Sequence, residues 1–206
     1  MKIPPAAWFA SLLAVAMAHA ATAPGQKDPS QRDEEPPEVR YAAMLEAEYG
    51  PLGTTTEQIL SRESTHAPAT IVGALVYRLR AKPPENLTSV ERKLLAVADL
   101  RDEVNNGGFQ QYFANAAGDR WALAQQAFRE MGATALSKVM QRALSVFAGS
   151  KPPASLEARQ RAIVLAGKRA EAVWGACDDA FYLGDEGFAD HILGYAKRYR
   201  GQIKLP

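Results

Sequence analysis

Apolar residues along this chain recur at spacings of three and four while strict alternation is scarcely present, a pattern that predicts helices rather than strands. The cleanest stripe is Leu136, Val139, Met140, Ala143, Leu144 and Phe147, which share one side of a single helix. A preceding helix opens at Gly118 or Asp119 and stops at Gly132, with Trp121, Ala124, Phe128 and Met131 turned inward. A following one starts near Ser155, after Pro152-Pro153, and carries Ile163, Gly167, Ala170 and Trp174. Pro83-Pro84 ends an earlier helix bearing Ile71, Leu75, Val76 and Leu79, because the residue before a proline is pushed out of helical geometry. Thr88 and Glu91 then have capping-box spacing, and Val90, Leu94, Val97 and Val104 give the helix they open its buried edge. Thr54 and Glu57 repeat that spacing and predict a shorter helix ahead of Arg62. The last helix is expected from Phe188 to Arg200, with Ile192, Leu193, Tyr195 and Tyr199 for packing and Lys197, Arg198 and Arg200 at the negative end of its dipole. The fold class is therefore all-α, a compact single-domain array of about seven or eight helices joined by short turns.

The first residues follow a different logic. Lys2, an apolar run from Ala6 to Ala18 and small residues at Ala18 and Ala20 have the layout of a secretory signal, with cleavage expected after Ala20. The run is short for a bilayer span, which takes about 20 residues, and no later segment is long and apolar enough to replace it. The expected product is exported, periplasmic or secreted, with no membrane association after cleavage. Residues 21–37 are polar and rich in proline, a flexible leader ahead of a domain over residues 38–206.

Cleavage would take Lys2 and no acid from 24 bases and 23 acids, leaving a formally neutral protein with no general field for nucleic acid. The single cysteine, Cys177, excludes an intrachain disulfide and reads as a buried thiol between Trp174 and Phe181. His66 and His191 stand far apart outside any metal motif, so no metal, no cofactor and no catalytic residue is assigned.

The most unusual stretch is Glu103-Val104-Asn105-Asn106-Gly107-Gly108-Phe109-Gln110-Gln111-Tyr112-Phe113-Ala114-Asn115. Asn and Gly tolerate the left-handed backbone that stops one helix, and an aromatic, amide-rich helix restarts at once. On it Phe109, Tyr112 and Phe113 share a face and Gln111 and Asn115 share the next. Two readings stay open. Glu103, Asn106, Gly107, Gly108, Gln111, Tyr112 and Asn115 form a polar ligand pocket, with Glu103 as a base if desolvated. Alternatively the amides cap helix ends and satisfy buried backbone where two helices meet.

Asn106-Gly107-Gly108-Phe109-x-Gln111-Tyr112-Phe113-x-Asn115, followed by Gly118, resembles the motif of a bacterial helical family named after a DNA-mimic protein. The similarity runs from about Ser89 to Tyr199, through Met131-Gly132-Ala133 and Asp178-Asp179-Ala180-Phe181-Tyr182. The resemblance implies an all-helical fold and, in the founding case, binding of a transcription factor through carboxylates that imitate DNA phosphates. This chain lacks the dense overall negative charge such imitation needs. From Ala170 to Ala196, however, there are six acids and no Lys or Arg, and Asp178, Asp179, Asp185 and Glu186 form a candidate acidic edge for a protein partner. Together these features favour an exported, non-enzymatic protein-binding module, of inhibitor or immunity type, over a small-molecule-binding protein or enzyme built on the Asn-Gly-Gly-Phe junction.

Overall fold

Side-chain capping boxes open two helices of this chain, near Thr55 and Thr88. The computed structural model describes residues 36–184 and 187–206. The expected signal segment, the leader as far as residue 35, and Asp185 and Glu186 of the acidic edge lie outside the described residues. Among the described residues there are eight α-helices and no strand: α1 (Pro37–Tyr49), α2 (Thr56–Leu60), α3 (Pro68–Arg80), α4 (Ser89–Ala114), α5 (Trp121–Glu130), α6 (Thr134–Leu144), α7 (Leu156–Gly184) and α8 (Phe188–Arg198).

At α4 the expected box forms: Glu91 N–H donates to Thr88 Oγ1 at 3.2 Å and Thr88 N–H to Glu91 Oε2 at 2.7 Å. Glu91 is fully buried and does more than cap, since it also accepts from Lys82 Nζ at 2.7 Å and from the backbone N–H of Lys204 at 2.6 Å. One carboxylate thus starts the central helix and pins the C-terminal tail. At α2 the box is one residue later than expected, with Thr55 and Gln58 in place of Thr54 and Glu57. Thr54-Thr55-Thr56-Glu57-Gln58 contains two overlapping boxes, and Gln58 Oε1 accepts from the N–H of both Thr54 (2.9 Å) and Thr55 (3.2 Å). Helix α8 ends at Arg198, two residues early, because the chain turns back over α2 and α4: Thr56 Oγ1 donates to Ile203 O at 2.8 Å and Thr88 Oγ1 to Gln202 O at 2.9 Å.

Helix α4 runs through the middle, packed by α3, α5 and α7, while α6 lies against α7 and α8 against α3. One continuous core results. Its spine is aromatic. Phe113 stacks on Trp174 (centroids 5.6 Å apart) and meets Phe147 edge-on (5.0 Å), and Phe109 leads through Phe181 and Phe188 to Phe128. Cys177 is buried and its thiol pushed up to about 11 by burial, with Arg142 pulling the other way, the inert state expected of it.

Between α3 and α4 lies an ionic cluster whose carboxylates, Asp99 and Asp102, are buried. Arg80 Nη2 donates to Asp99 Oδ1 and Asp102 Oδ2, both at 2.7 Å, and Arg120 pairs with the other Asp99 oxygen. Asp102 Oδ1 has no hydrogen-bond partner. Burial pushes the Asp102 carboxyl up to about 6, and Arg80 offsets this only in part. A cleft of ≈ 350 Å³ between α1 and α3 opens beside this cluster, walled by Tyr41, Tyr49, Tyr77 and Arg78. Tyr49 lies so close to α3 that a Cβ at Gly73 would sit 2.7 Å from its ring carbon Cζ.

The Asp102 proton gives a stability test. Its pKa is higher folded than unfolded, so the folded chain holds the extra proton between about pH 4 and about pH 6. The stability this contributes is complete below that window and lost as pH rises through it. In urea titrations from about pH 7.5 down to about pH 5, wild type should gain about 1 kcal/mol relative to Asp102→Asn. Parallel profiles for the two proteins would show that Asp102 is ionised throughout.

Candidate functional site

The Asn-Gly-Gly-Phe stretch breaks α4 where the sequence places a stop and restart. Gly107 (φ −161°, ψ 25°) and Gly108 (φ 75°, ψ −176°) are both non-helical, and Gly108 occupies a region essentially closed to other residues. A break in a buried helix leaves backbone groups that must be paired from elsewhere. Helix α7 provides two of the partners. Asp178 Oδ1 accepts from the Phe109 N–H at 2.8 Å, and the Tyr182 hydroxyl donates to Val104 O at 2.9 Å. A Cβ at Gly108 would collide with the Asp178 carboxylate, so glycine is required for space as well as for backbone angle.

Glu103 is buried beside the break. Its Oε2 accepts from Gln111 Nε2 at 2.8 Å and Asn115 Nδ2 at 2.9 Å, so the amide-bearing face of the restarted helix closes onto the carboxylate of the helix before it. The structure therefore brings together Glu103, Gln111 and Asn115, with Gly107 against the Gln111 side chain. The other two side chains proposed for the pocket go elsewhere. Asn106 is exposed, and Tyr112 is fully buried with its ring edge-on to Phe113 at 5.0 Å. Burial raises the Tyr112 hydroxyl above its ordinary range, and it has no hydrogen-bond partner.

Arg159 completes the junction and sequence reasoning missed it. Fully buried, it donates through Nε to Phe113 O (2.6 Å), through Nη2 to Asn115 O (2.9 Å) and through Nη1 to Pro153 O (3.2 Å), and it pairs with Asp119 at 2.7 Å. Where α4 ends, Arg159 takes the carbonyls of Phe113 and Asn115, and Gln160 Nε2 donates to Ala114 O at 2.9 Å. A signal was present: Arg159 stands four residues before Ile163, on the stripe that α7 buries.

The acidic edge is only partly an edge. Asp178 is half-buried and engaged as a cap from outside the helix it caps; burial raises its carboxyl and the Phe109 amide counteracts this. Asp179 is exposed. Among the described residues no group of three His, Cys, Asp or Glu is placed to hold a metal ion.

Helix α7 is two-sided along its length. Arg159, Ile163, Ala170, Trp174, Cys177 and Phe181 are buried, while Arg161, Val164, Leu165, Lys168, Ala172, Gly175, Asp179 and Leu183 are exposed. Gly167 (φ 46°, ψ −130°) kinks the helix between buried Ile163 and buried Ala170. Val164, Leu165 and Leu183 are 78%, 87% and 84% exposed, the three most exposed large apolar side chains among the described residues. Val164 and Leu165 edge a shallow groove with Glu157, Gln160 and Arg161.

A family model described as DMP19-like protein matches residues 85–199, more than half the chain. The chain belongs to the DMP19-like protein family. The matched span contains all of α4 to α8, and with them the broken helix, its caps and the outward side of α7, whereas α1 to α3 precede it. No curated protein and no solved structure matches the chain.

The break yields a paired prediction. Gly108→Ala should cost about 2–4 kcal/mol, from strain at the positive φ and displacement of Asp178. Asp178→Ala should cost about 1 kcal/mol through loss of the Phe109 cap. Because Gly108→Ala already displaces that cap, the double variant should lose less than the two singles added. Strict additivity in denaturant titrations would separate the glycine from the cap.

Proposed function

We propose that this chain is an exported, non-enzymatic protein-binding module, of inhibitor or immunity type, that docks through the outward side of α7. The observation that carries this reading is the exposure of Val164, Leu165 and Leu183 on one helix whose opposite side is fully packed. Exposed apolar side chains rimmed by charge are characteristic of protein interaction sites; here Val164 and Leu165 lie toward one end of the helix and Leu183 at the other. The rim has a distinctive pattern. Residues 131–170 contain seven bases and one acid, and exposed Lys151, Arg161, Lys168 and Arg169 belong to that stretch. Beyond it come the acids, with Asp179 exposed beside Leu183. Membership in the DMP19-like family supports a protein-binding role. The ligand-pocket reading has less behind it, because Gln111 and Asn115 spend their donors on Glu103.

The test uses the protein exported from its own cells with a photo-reactive residue at position 164, 165 or 183, and a fourth form carrying it at exposed Asn106 as control. Adducts should form from the three α7 positions and not from position 106. Val164→Ser with Leu165→Ser should reduce recovery of the same adduct from position 183 by at least about fivefold with the fold intact. Adduct formation at position 106 alone, or at no position, contradicts docking through α7. Retention of the chain inside the cell contradicts export.

A further inference from the structure

The cleft between α1 and α3 is walled by groups of two kinds. Tyr41, Tyr49 and Tyr77 contribute aromatic rings, the last two with centroids 5.9 Å apart, and Leu45 and Val76 contribute aliphatic surface. Among the described residues that line it, the charged ones are Arg78 and Arg80, and none is Asp or Glu. Its volume of ≈ 350 Å³ falls in the ~300–1,000 Å³ range of small-ligand pockets, which are likewise mostly apolar with a few polar groups.

The wall also holds hydrogen-bonding capacity that the fold leaves unused. Tyr41 Oη and Arg78 Nε are buried without a hydrogen-bond partner, an uncommon and costly condition for such groups. The two arginines differ in how they are held. Arg80 Nη2 donates to Asp99 and Asp102 at 2.7 Å each, so this guanidinium is committed. Arg78 stands over the Tyr77 ring at 5.3 Å and reaches Glu46 only at 3.4 and 3.5 Å, the long limit of a hydrogen bond. Exposed Glu46 spends its short bond, 2.6 Å, on the Tyr77 hydroxyl. Arg78 is thus a loosely paired cation at an aromatic cleft.

A planar guanidinium fork matches a carboxylate, and aromatic walls match a ring. We infer that this cleft is a binding site for a small aromatic carboxylate, its ring among Tyr41, Tyr49 and Tyr77 and its carboxylate on Arg78. The ligand takes the place of Glu46: as the guanidinium turns off that side chain, Nε–H and a terminal N–H meet the incoming carboxylate side-on. The site is independent of docking through α7. Its lining residues all lie outside residues 85–199, the span shared with the family.

Titration calorimetry of the full chain tests the site with benzoate, phenylacetate and 3-phenylpropanoate, each beside its neutral amide, and with acetate as a ring-free control. At least one of the three acids should bind with Kd below about 1 mM. Its amide and acetate should bind at least about tenfold more weakly, having lost the charged fork or the ring contacts. Arg78→Gln should weaken the acid by at least about tenfold, to the level of the amide. Glu46→Gln removes the competing carboxylate and should tighten the acid about threefold. Melting temperatures without ligand report whether each variant is folded, and if Arg78→Gln is not, the exposed Glu46→Gln substitution decides.

Absence of saturable binding by all three acids up to about 10 mM overturns the inference. So does an acid bound no better than its amide, or one whose affinity a folded Arg78→Gln variant leaves unchanged. An acid that Glu46→Gln binds no more tightly than wild type removes the exchange at Arg78 and overturns it as well.

Discussion

A helix interrupted inside a protein exposes backbone groups to a medium that cannot solvate them, and this constraint organises the molecule around Gly107 and Gly108. An unpaired buried amide or carbonyl costs about 1–3 kcal/mol, so the break in α4 persists only with partners at hand. They come from outside the helix. Asp178 takes the Phe109 amide and Tyr182 reaches Val104 O at the break, while Arg159 takes the carbonyls of Phe113 and Asn115 at the end of the restarted helix. All three belong to α7, which makes α7 the brace of α4 and fixes which of its sides is buried. The side left over is exposed.

The same constraint explains why polar residues dense enough to resemble an active site are mostly structural. Glu103 is buried, and its two amide donors lie on the far side of the break, so the triad joins the two halves of α4. The aromatic residues of the stretch, Phe109 and Phe113, sit at the centre of the spine that includes Trp174, Phe147 and Phe181. Amides and rings together let a helix bend within the core without losing packing or pairing.

What was legible in the sequence follows from the range of the interactions involved. Thr88 with Glu91, Pro83-Pro84, Gly132 and the stripe through Met140 are local: their partners lie within one or two helical turns, and spacing reveals them. The overlapping boxes at Thr54 to Gln58 show the limit, because spacing allows two solutions and the reach of one amide side chain decides. Asp178 and Arg159 could not be read this way, as their partners are 69 and 46 residues away. An aspartate in an acidic run has the same local appearance whether it faces water or caps a distant helix. Arg159 is the reverse case, a charged residue at a buried register position, and periodicity marked the position while chemistry argued against it.

Net charge conceals what α7 does with its charges. A formal net charge of +1 gives little long-range field, yet residues 131–170 carry seven bases and one acid and the acids Glu171, Asp178 and Asp179 follow on α7, so the two signs fall mostly in successive stretches. Had they alternated, pairs four residues apart would neutralise each other on the same surface and offer nothing to a partner. Glu157 with Arg161 has such spacing and Lys168 with Glu171 is three apart, whereas exposed Asp179 has no base three or four residues away on the helix. The apolar residues at both ends add the attraction that charge alone does not provide, since exposed ion pairs contribute at most about 1 kcal/mol each. In the proposed docking, charge order would therefore act mainly on orientation, and the exposed aliphatics would supply the affinity.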